Sequence, residues 1–265
     1  MLKKISYKNT TIRYDDGGDG IPLVFLHGYL ESLNIWDDFV CKLSEKFRII
    51  AIDIPGHGES GIIDEIHTME QMADVVKYVL NALKIEKCLL IGHSMGGYVT
   101  LAFLEKYPEM LYGFCLFHSK PQADTEAVKL NRMREIELIR EGKKNDIINT
   151  NIPKAFATEN IEKFHEELTY SKKIALQTQN EGIIALLKGM MIRKNREEVL
   201  KDTNIPFLYI LGKKDNYIPY EIIIKSTKLP KHTTILTLEN SGHMGFFEEK
   251  IKCQHAISDF IDKCF

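Results

Sequence analysis

Short apolar runs alternate with segments of helical periodicity along most of this chain, and that alternation constrains the fold more than any other feature. Such runs are typical of strands that are buried on both faces of a sheet. Repeated strand and helix units predict an α/β fold, with a mostly parallel central sheet and helices on both faces. The predicted buried strands are Pro22–His27, Arg48–Ile54, Lys87–Ile91, Gly113–His118, Pro206–Leu211 and Thr233–Leu238.

Three further segments complete the regular part of the chain. Ile5–Tyr14 has the pattern of an edge strand or hairpin, and Asp15–Gly18 that of the turn ending it. A helix is predicted over Thr68–Leu83, because its apolar residues have helical spacing and Gln71 completes a capping box with the first residue. A final amphipathic helix is predicted from about Glu248 to Asp262.

One long segment, residues 119–204, interrupts the alternation and contains no convincing strand. We predict a core formed by residues 1–118 and 205–265, with residues 119–204 inserted in it as a helical cap. The helices predicted within this segment are Thr125–Gly142, Asn160–Gln177 and Gly182–Met191.

Composition excludes several classes of protein. The chain has 265 residues with 35 Lys+Arg and 37 Asp+Glu, a formal net charge of −2. This balance gives no electrostatic case for binding nucleic acid or an anionic membrane. The five cysteines are scattered and never form a C-x-x-C pair, which argues against a disulfide framework and a zinc site. The first residues lack a signal-peptide pattern, so we expect a cytoplasmic protein.

The chemistry is indicated by Gly92-His93-Ser94-Met95-Gly96, which matches G-x-S-x-G between a predicted strand and a predicted helix. In that context the serine occupies a sharp, strained turn, and the two glycines allow close backbone approach. The turn presents the Ser94 hydroxyl as a nucleophile. The backbone N–H of Met95 is then free to bind developing negative charge.

A serine nucleophile needs a base, and the base needs a carboxylate that fixes its tautomer. His243 follows the last predicted strand on a glycine-containing loop, which suits the base. Asp215 follows the preceding predicted strand and suits the acid. Asp124, which follows an earlier strand, is the alternative acid.

A second oxyanion donor is expected from the loop after the first buried strand. Gly28 lets this loop turn inward, so that the backbone N–H of Tyr29 can lie beside that of Met95. His27 is expected to hydrogen-bond the loop and to hold its shape. His57 and Asp53 are expected to be structural.

The sequence resembles the α/β-hydrolase superfamily, specifically its capped esterase, lipase and haloperoxidase-like group. The resemblance implies Ser94 as nucleophile, His243 as base and Asp215 as acid, with Tyr29 and Met95 forming the oxyanion hole. A serine at position 94 favours an esterase over the dehalogenases and epoxide hydrolases, which have aspartate there. The residues that carry the resemblance are HGYLES (27–32), DIPGHGES (53–60), GHSMGG (92–97), LGKKDNYIP (211–219) and SGHMGFFEE (241–249).

The expected substrate is a small or medium uncharged ester, cleaved through an acyl-enzyme. This rests on a pocket with an apolar lining and no fixed cation. The sequence shows no P-loop, no H-E-x-x-H and no G-x-G-x-x-G, so we expect neither metal nor cofactor. The substrate-binding candidates are Leu30, His118, Met190, Met191 and Met244.

Other functions remain open for the same residues. A thioesterase, a C–C hydrolase, or a lyase or synthase could use the same triad. A small-molecule receptor with little turnover is the alternative from another class. Acyl preference, stereoselectivity and oligomeric state have no signature in the sequence.

Overall fold

A computed structural model describes residues 2–265, in which eight strands form one mixed sheet in the order β1-β2-β4-β3-β5-β6-β7-β8. The pairs β1·β2 and β2·β4 are antiparallel, and all the others are parallel. The predicted α/β fold is confirmed. The strands are β1 (Leu2–Tyr7), β2 (Thr10–Gly17), β3 (Pro22–Leu26), β4 (Arg48–Ile52), β5 (Cys88–His93), β6 (Leu111–Phe117), β7 (Phe207–Gly212) and β8 (Thr233–Leu238).

Helices connect the parallel strands. None of the helices within residues 2–265 combines the length and the apolarity that crossing a membrane requires. They are α1 (Asp37–Val40), α2 (Met69–Ala82), α3 (Met95–Lys106), α4 (Glu126–Arg140), α5 (Lys144–Ala155), α6 (His165–Gln177), α7 (Asn180–Met191), α8 (Glu197–Asp202), α9 (Tyr220–Ser226), α10 (Gly245–Glu248) and α11 (Lys250–Ile261).

The first two strands form the predicted hairpin at the edge of the sheet, but its end was placed wrongly. Asp15, Asp16 and Gly17 continue β2 and pair with residues of β4. Arg48 holds Asp16 there, with its Nε 2.9 Å from Oδ1 of the carboxylate. The expected turn residues are therefore kept in the sheet by an ion pair with a neighbouring strand.

Helix α2 begins with the predicted capping box. The Thr68 hydroxyl accepts a hydrogen bond from the Gln71 backbone N–H at 3.1 Å. The Gln71 side-chain oxygen accepts one from the Thr68 backbone N–H at 3.0 Å. Two N–H groups that the first helical turn leaves unpaired are satisfied in this way.

Five helices, α4 to α8, lie between β6 and β7, and we call residues 119–204 the insert. Two of them were missed from the sequence: α5, which contains Pro153, and the short α8. Helix α5 is stabilised by burial of Ile147, Ile148 and Ile152 rather than by helix propensity. Helix α6 begins at His165, five residues later than predicted. The division of the chain into a core and a separately folded cap stays a prediction.

Candidate active site

Three segments that carry predicted catalytic residues end at the same edge of the sheet. Ser94 directly follows β5, Asp215 follows β7 and His243 follows β8. These strands are parallel to one another, so their carboxyl ends meet, as in other open α/β sheets. All six residues of β5 are buried, which gives the serine a rigid support.

Ser94 has the strained backbone that a nucleophile elbow requires, with φ 50° and ψ −112°. A Cβ atom on Gly92 would collide with the backbone of Gly96, and one on Gly96 would collide with the Leu26 carbonyl. Glycine is therefore sterically required on both sides of the serine. The turn leads directly into α3, whose N-terminus lies at the hydroxyl-bearing residue.

Asp215 and His243 are brought together as a buried pair. His243 Nδ1 lies 2.7 Å from Asp215 Oδ2. The other carboxylate oxygen of Asp215 accepts hydrogen bonds from the backbone N–H groups of Tyr217 and Ile218, each at 2.8 Å. Burial opposes ionisation, but His243 and His118 together hold the pKa of Asp215 well below its usual range. This carboxylate is thus fixed in place and ionised.

Asp124, the alternative acid, lies in a different cluster. Its carboxylate pairs with Arg132 Nε at 2.6 Å and with Arg193 Nη1 at 2.5 Å. Burial opposes ionisation of Asp124, but these guanidinium groups lower its pKa. Both of its oxygen atoms are engaged by the two arginines, and no hydrogen bond or ion pair within residues 2–265 joins it to His243.

His118 does not lie in the pocket, contrary to the expectation from sequence. It is fully buried behind Asp215, with Nδ1 3.2 Å from Oδ2 of the carboxylate, while Nε2 accepts a hydrogen bond from the Gly245 backbone N–H. Burial lowers its pKa to about 4. A neutral His118 therefore contacts the Asp215 carboxylate and does not line the cavity.

His118, Asp215 and His243 also form the one group with metal-ligand spacing in residues 2–265, because their ligand atoms lie within 4.8 Å of one another. Asp215 Oδ2 is shared between the two imidazole rings at 2.7 and 3.2 Å. Contacts between the carboxylate and the two rings explain this spacing without a metal.

The loop after β3 is held by hydrogen bonds that do not use the peptide N–H of Tyr29. His27 Nδ1 donates to the Gly28 carbonyl, and His27 Nε2 accepts from the Ile54 backbone N–H, so this histidine shapes the loop as expected. Within the described residues, no hydrogen bond uses the backbone N–H of Tyr29 or that of Met95. Both remain available to an oxyanion.

Asp53 and His57 have the structural roles expected of them. The buried Asp53 carboxylate accepts from the backbone N–H groups of Leu33 and Glu59 and pairs with Arg13. His57 Nε2 accepts from the Leu30 backbone N–H at 3.4 Å. These contacts fasten the loop after β4 to the loop after β3.

Ser94 and His243 line a cavity of about 670 Å³ whose walls come from both the core and the insert. The Ser94 hydroxyl makes no hydrogen bond to His243 within residues 2–265. Such bonds are often long in unliganded enzymes and tighten when substrate binds. The predicted residues that also line the cavity are Tyr29, Leu30, Met95, Met190 and Met244.

Besides the placement of His118, two further expectations about the pocket are wrong. Met191 packs against the core and does not line the cavity. The lining does contain cations, because the insert contributes charged side chains that could not be located from sequence. The basic lining residues are Lys120, Arg132, Arg134 and Lys154, and the acidic ones are Glu31, Asp124, Glu135 and Asp146, so their formal charges cancel.

Sequence reasoning also missed residues that connect the insert to the loop after β3. The Tyr29 hydroxyl donates to Glu135 Oε1 at 2.9 Å, and Asn151 Nδ2 donates to the same oxygen at 3.1 Å. Burial raises the pKa of Glu135. Tyr29 and Glu135 are 106 positions apart, and no local pattern marks such a contact.

Comparisons with known proteins bear on the fold of the chain. Residues 21–133 match a family model described as alpha/beta hydrolase fold. The AB hydrolase superfamily protein YisY of Bacillus subtilis (strain 168) is 25% identical over 264 residues, covering 96% of each chain. A pimeloyl-acyl-carrier-protein methyl ester esterase of Wigglesworthia glossinidia brevipalpis is 26% identical, over 93% of this chain and 96% of that protein.

Among solved structures, a thermophilic esterase from Thermogutta terrifontis in a malate-bound form has a TM-score of 0.94. It is 28% identical, and the match covers 100% of this chain and 99% of that chain. The chain therefore has the α/β-hydrolase fold, and its resemblance to the α/β-hydrolase superfamily is confirmed. Two of the similar proteins named above are esterases.

Proposed function

We propose that this protein is a serine hydrolase that cleaves carboxylic esters through a covalent acyl-enzyme. The observation that carries the proposal is the Asp215–His243 pair, whose histidine lines the same cavity as a serine on a strained elbow. Similar proteins named as esterases support the same chemistry.

The reaction follows from the positions of these groups. Ser94 Oγ attacks the ester carbonyl while His243 Nε2 takes the hydroxyl proton. The backbone N–H groups of Tyr29 and Met95 stabilise the oxyanion of the tetrahedral intermediate. His243 then protonates the leaving alcohol, and it later activates the water that hydrolyses the acyl-enzyme. Asp215 holds the imidazole in the required tautomer.

We infer a small or medium uncharged ester as the substrate. The cavity of about 670 Å³ bounds its size, and the apolar side chains of Leu30, Met190 and Met244 in the lining favour an uncharged acyl chain. Each additional buried methylene contributes about 0.8 kcal/mol until the cavity is filled. Activity on p-nitrophenyl esters is expected to climb over the first few acyl carbons and then to fall.

The test combines this ester series with Ser94→Ala. The substitution removes the nucleophile, so kcat is expected to fall by about a millionfold while the melting temperature stays near that of wild type. A fluorophosphonate probe is expected to label the wild type and not the variant. Turnover by Ser94→Ala above a tenth of wild type contradicts the assignment.

Labelling of the wild type without turnover of any ester or thioester favours the lyase or the small-molecule receptor.

A further inference from the structure

A buried histidine and a buried glutamate lie beside the proposed triad and take no part in the mechanism given above. His93 is 1% exposed and Glu31 is 5% exposed. His93 Nδ1 lies 3.0 Å from Glu31 Oε2, and His93 Nε2 lies 2.9 Å from the backbone oxygen of His243. A carboxylate and a carbonyl can only accept, so both ring nitrogens of His93 carry hydrogen. The pair is an imidazolium with a carboxylate.

This pair links three segments of the site: the elbow that carries Ser94, the loop that carries His243, and the loop after β3. His93 directly precedes Ser94 on the elbow. Its Nε2–H donates to the main chain of His243. Glu31 Oε2 also accepts the backbone N–H of Gly28 at 2.5 Å, one residue before Tyr29. A single ion pair thus connects the nucleophile, the base and the proposed oxyanion loop.

We propose that His93 and Glu31 are positioning residues. They hold the His243 main chain and the Gly28–Tyr29 loop at fixed positions relative to Ser94. The inference rests on the proposed function, because it concerns the geometry of that same site. Loss of the pair moves groups that act in the transition state, so kcat is expected to fall while KM changes little.

The surroundings of His93 favour its charged form. Burial lowers the pKa of His93, but the Glu31 carboxylate raises it above the usual value, with a smaller contribution from Asp215. The neighbouring imidazoles are those of His243 and His118, with ring centroids at 4.9 and 6.2 Å. His27 is also coupled to it electrostatically, and the remaining ring neighbours, Trp36, Phe117 and Phe246, are uncharged.

A pH profile of kcat distinguishes positioning from mere support of the fold. The pair opens when His93 loses its proton, so kcat of the wild type is expected to fall at alkaline pH. In Glu31→Gln the amide cannot stabilise the imidazolium. The fall of kcat at alkaline pH is therefore expected to begin at lower pH than in the wild type. At pH 7.5 kcat is expected to be about tenfold or more below that of the wild type, while KM stays within twofold of the wild-type value. His67→Gln, which alters another fully buried histidine outside the cavity, is the matched control and is expected to leave the alkaline fall of kcat at its wild-type pH.

A measurement without substrate separates this inference from the proposed function. Nitrogen-15 NMR of Ser94→Ala, which is inactive by design, is expected to show both His93 nitrogens protonated at pH 7.5, and one deprotonated after Glu31→Gln. A neutral His93 in the otherwise native protein overturns the ion pair, even if Glu31→Gln fails to fold. A Glu31→Gln enzyme with the wild-type pH profile and kcat overturns the positioning role. If both His93 nitrogens are protonated but the wild-type protein hydrolyses no ester, the ion pair is supported and only the proposed function is contradicted.

Discussion

At the residue scale, the choice between two aspartates is the sharpest question that this site poses. Asp215 contacts His243, whereas Asp124 is engaged by Arg132 and Arg193. Asp215→Asn keeps the shape of the side chain but favours the wrong imidazole tautomer, which costs roughly ten-thousandfold in kcat in the serine-protease precedent. We expect a loss of that order for Asp215→Asn on p-nitrophenyl butyrate.

Asp124→Asn is the paired variant, since it also removes a buried, ionised carboxylate. It leaves two guanidinium groups without their partner, so a lower melting temperature is expected, with kcat reduced far less than by Asp215→Asn. If kcat of Asp124→Asn were lower than kcat of Asp215→Asn, the acid would have to be Asp124, which follows the earlier strand β6.

Ser94, Asp215 and His243 were singled out from sequence because each follows a predicted strand, in a turn or loop that contains glycine. Ser94 directly follows β5, whereas Asp215 lies three residues after β7 and His243 five residues after β8. The Glu31–His93 pair could not be singled out, since its partners are 62 positions apart and each has an unremarkable neighbourhood. His118 was expected to bind substrate, but it does not line the cavity. Its position at the end of β6 was correctly predicted, but the direction of its side chain depends on φ 49° at that residue, which no local pattern reports.

At the element scale, the end of α5 is fastened to the loop that carries His243. The His243 backbone N–H donates to the Ala155 carbonyl at 2.6 Å. Glu248 accepts from the backbone N–H groups of Ala157 and Gly242 and from the side chain of Asn160, each at 2.8 Å. The insert therefore contacts the proposed base through its main chain, and a shift of the insert would shift the base.

Asn160→Ala tests this connection. It removes the hydrogen bonds from Asn160 Nδ2 to Glu248 and to the Asn240 carbonyl, at a net cost of about 1 kcal/mol each in stability. We expect kcat to fall several-fold, because the loop that carries His243 is less well held. Steady-state kinetics and thermal unfolding are measured together.

Asn195→Ala is the control, because it also removes two hydrogen bonds, both with Glu197, in a part of the insert away from His243. It is expected to lower the melting temperature by a similar amount while leaving kcat near wild type. Equal kcat losses in the two variants would mean that kcat follows stability alone and not the loop.

Strands were easier to predict than insert helices for a physical reason. A strand buried on both faces must be apolar throughout, and β5 and β7 show this directly. Helix α5 has a polar, asparagine-rich sequence with an internal proline, so its helicity depends on packing that sequence periodicity does not report. The cavity lining was misjudged for the same cause, since it depends on how the insert packs over the core.

At the scale of the whole molecule, two buried histidines make stability depend on pH in the same direction. His67 and His118 are buried, and burial lowers the pKa of each to about 4. Their unfolded forms titrate near about 6.5. The unfolded chain therefore binds more protons than the native one between these values, so the stability these groups contribute is present above pH 6.5 and is lost as pH falls towards 4.

His67→Gln isolates one of these protons without touching the cavity, because His67 does not line it. The free energy of unfolding of the wild type, measured by urea titration, is expected to fall steadily from pH 6.5 to 4.5. In the variant that slope is expected to be smaller by up to about 1.4 kcal/mol per pH unit, the equivalent of one proton. His165→Gln, at an exposed position, is expected to keep the wild-type slope. A His67→Gln slope equal to that of wild type would mean that His67 is already protonated in the native state, so that its burial does not exclude the charged form.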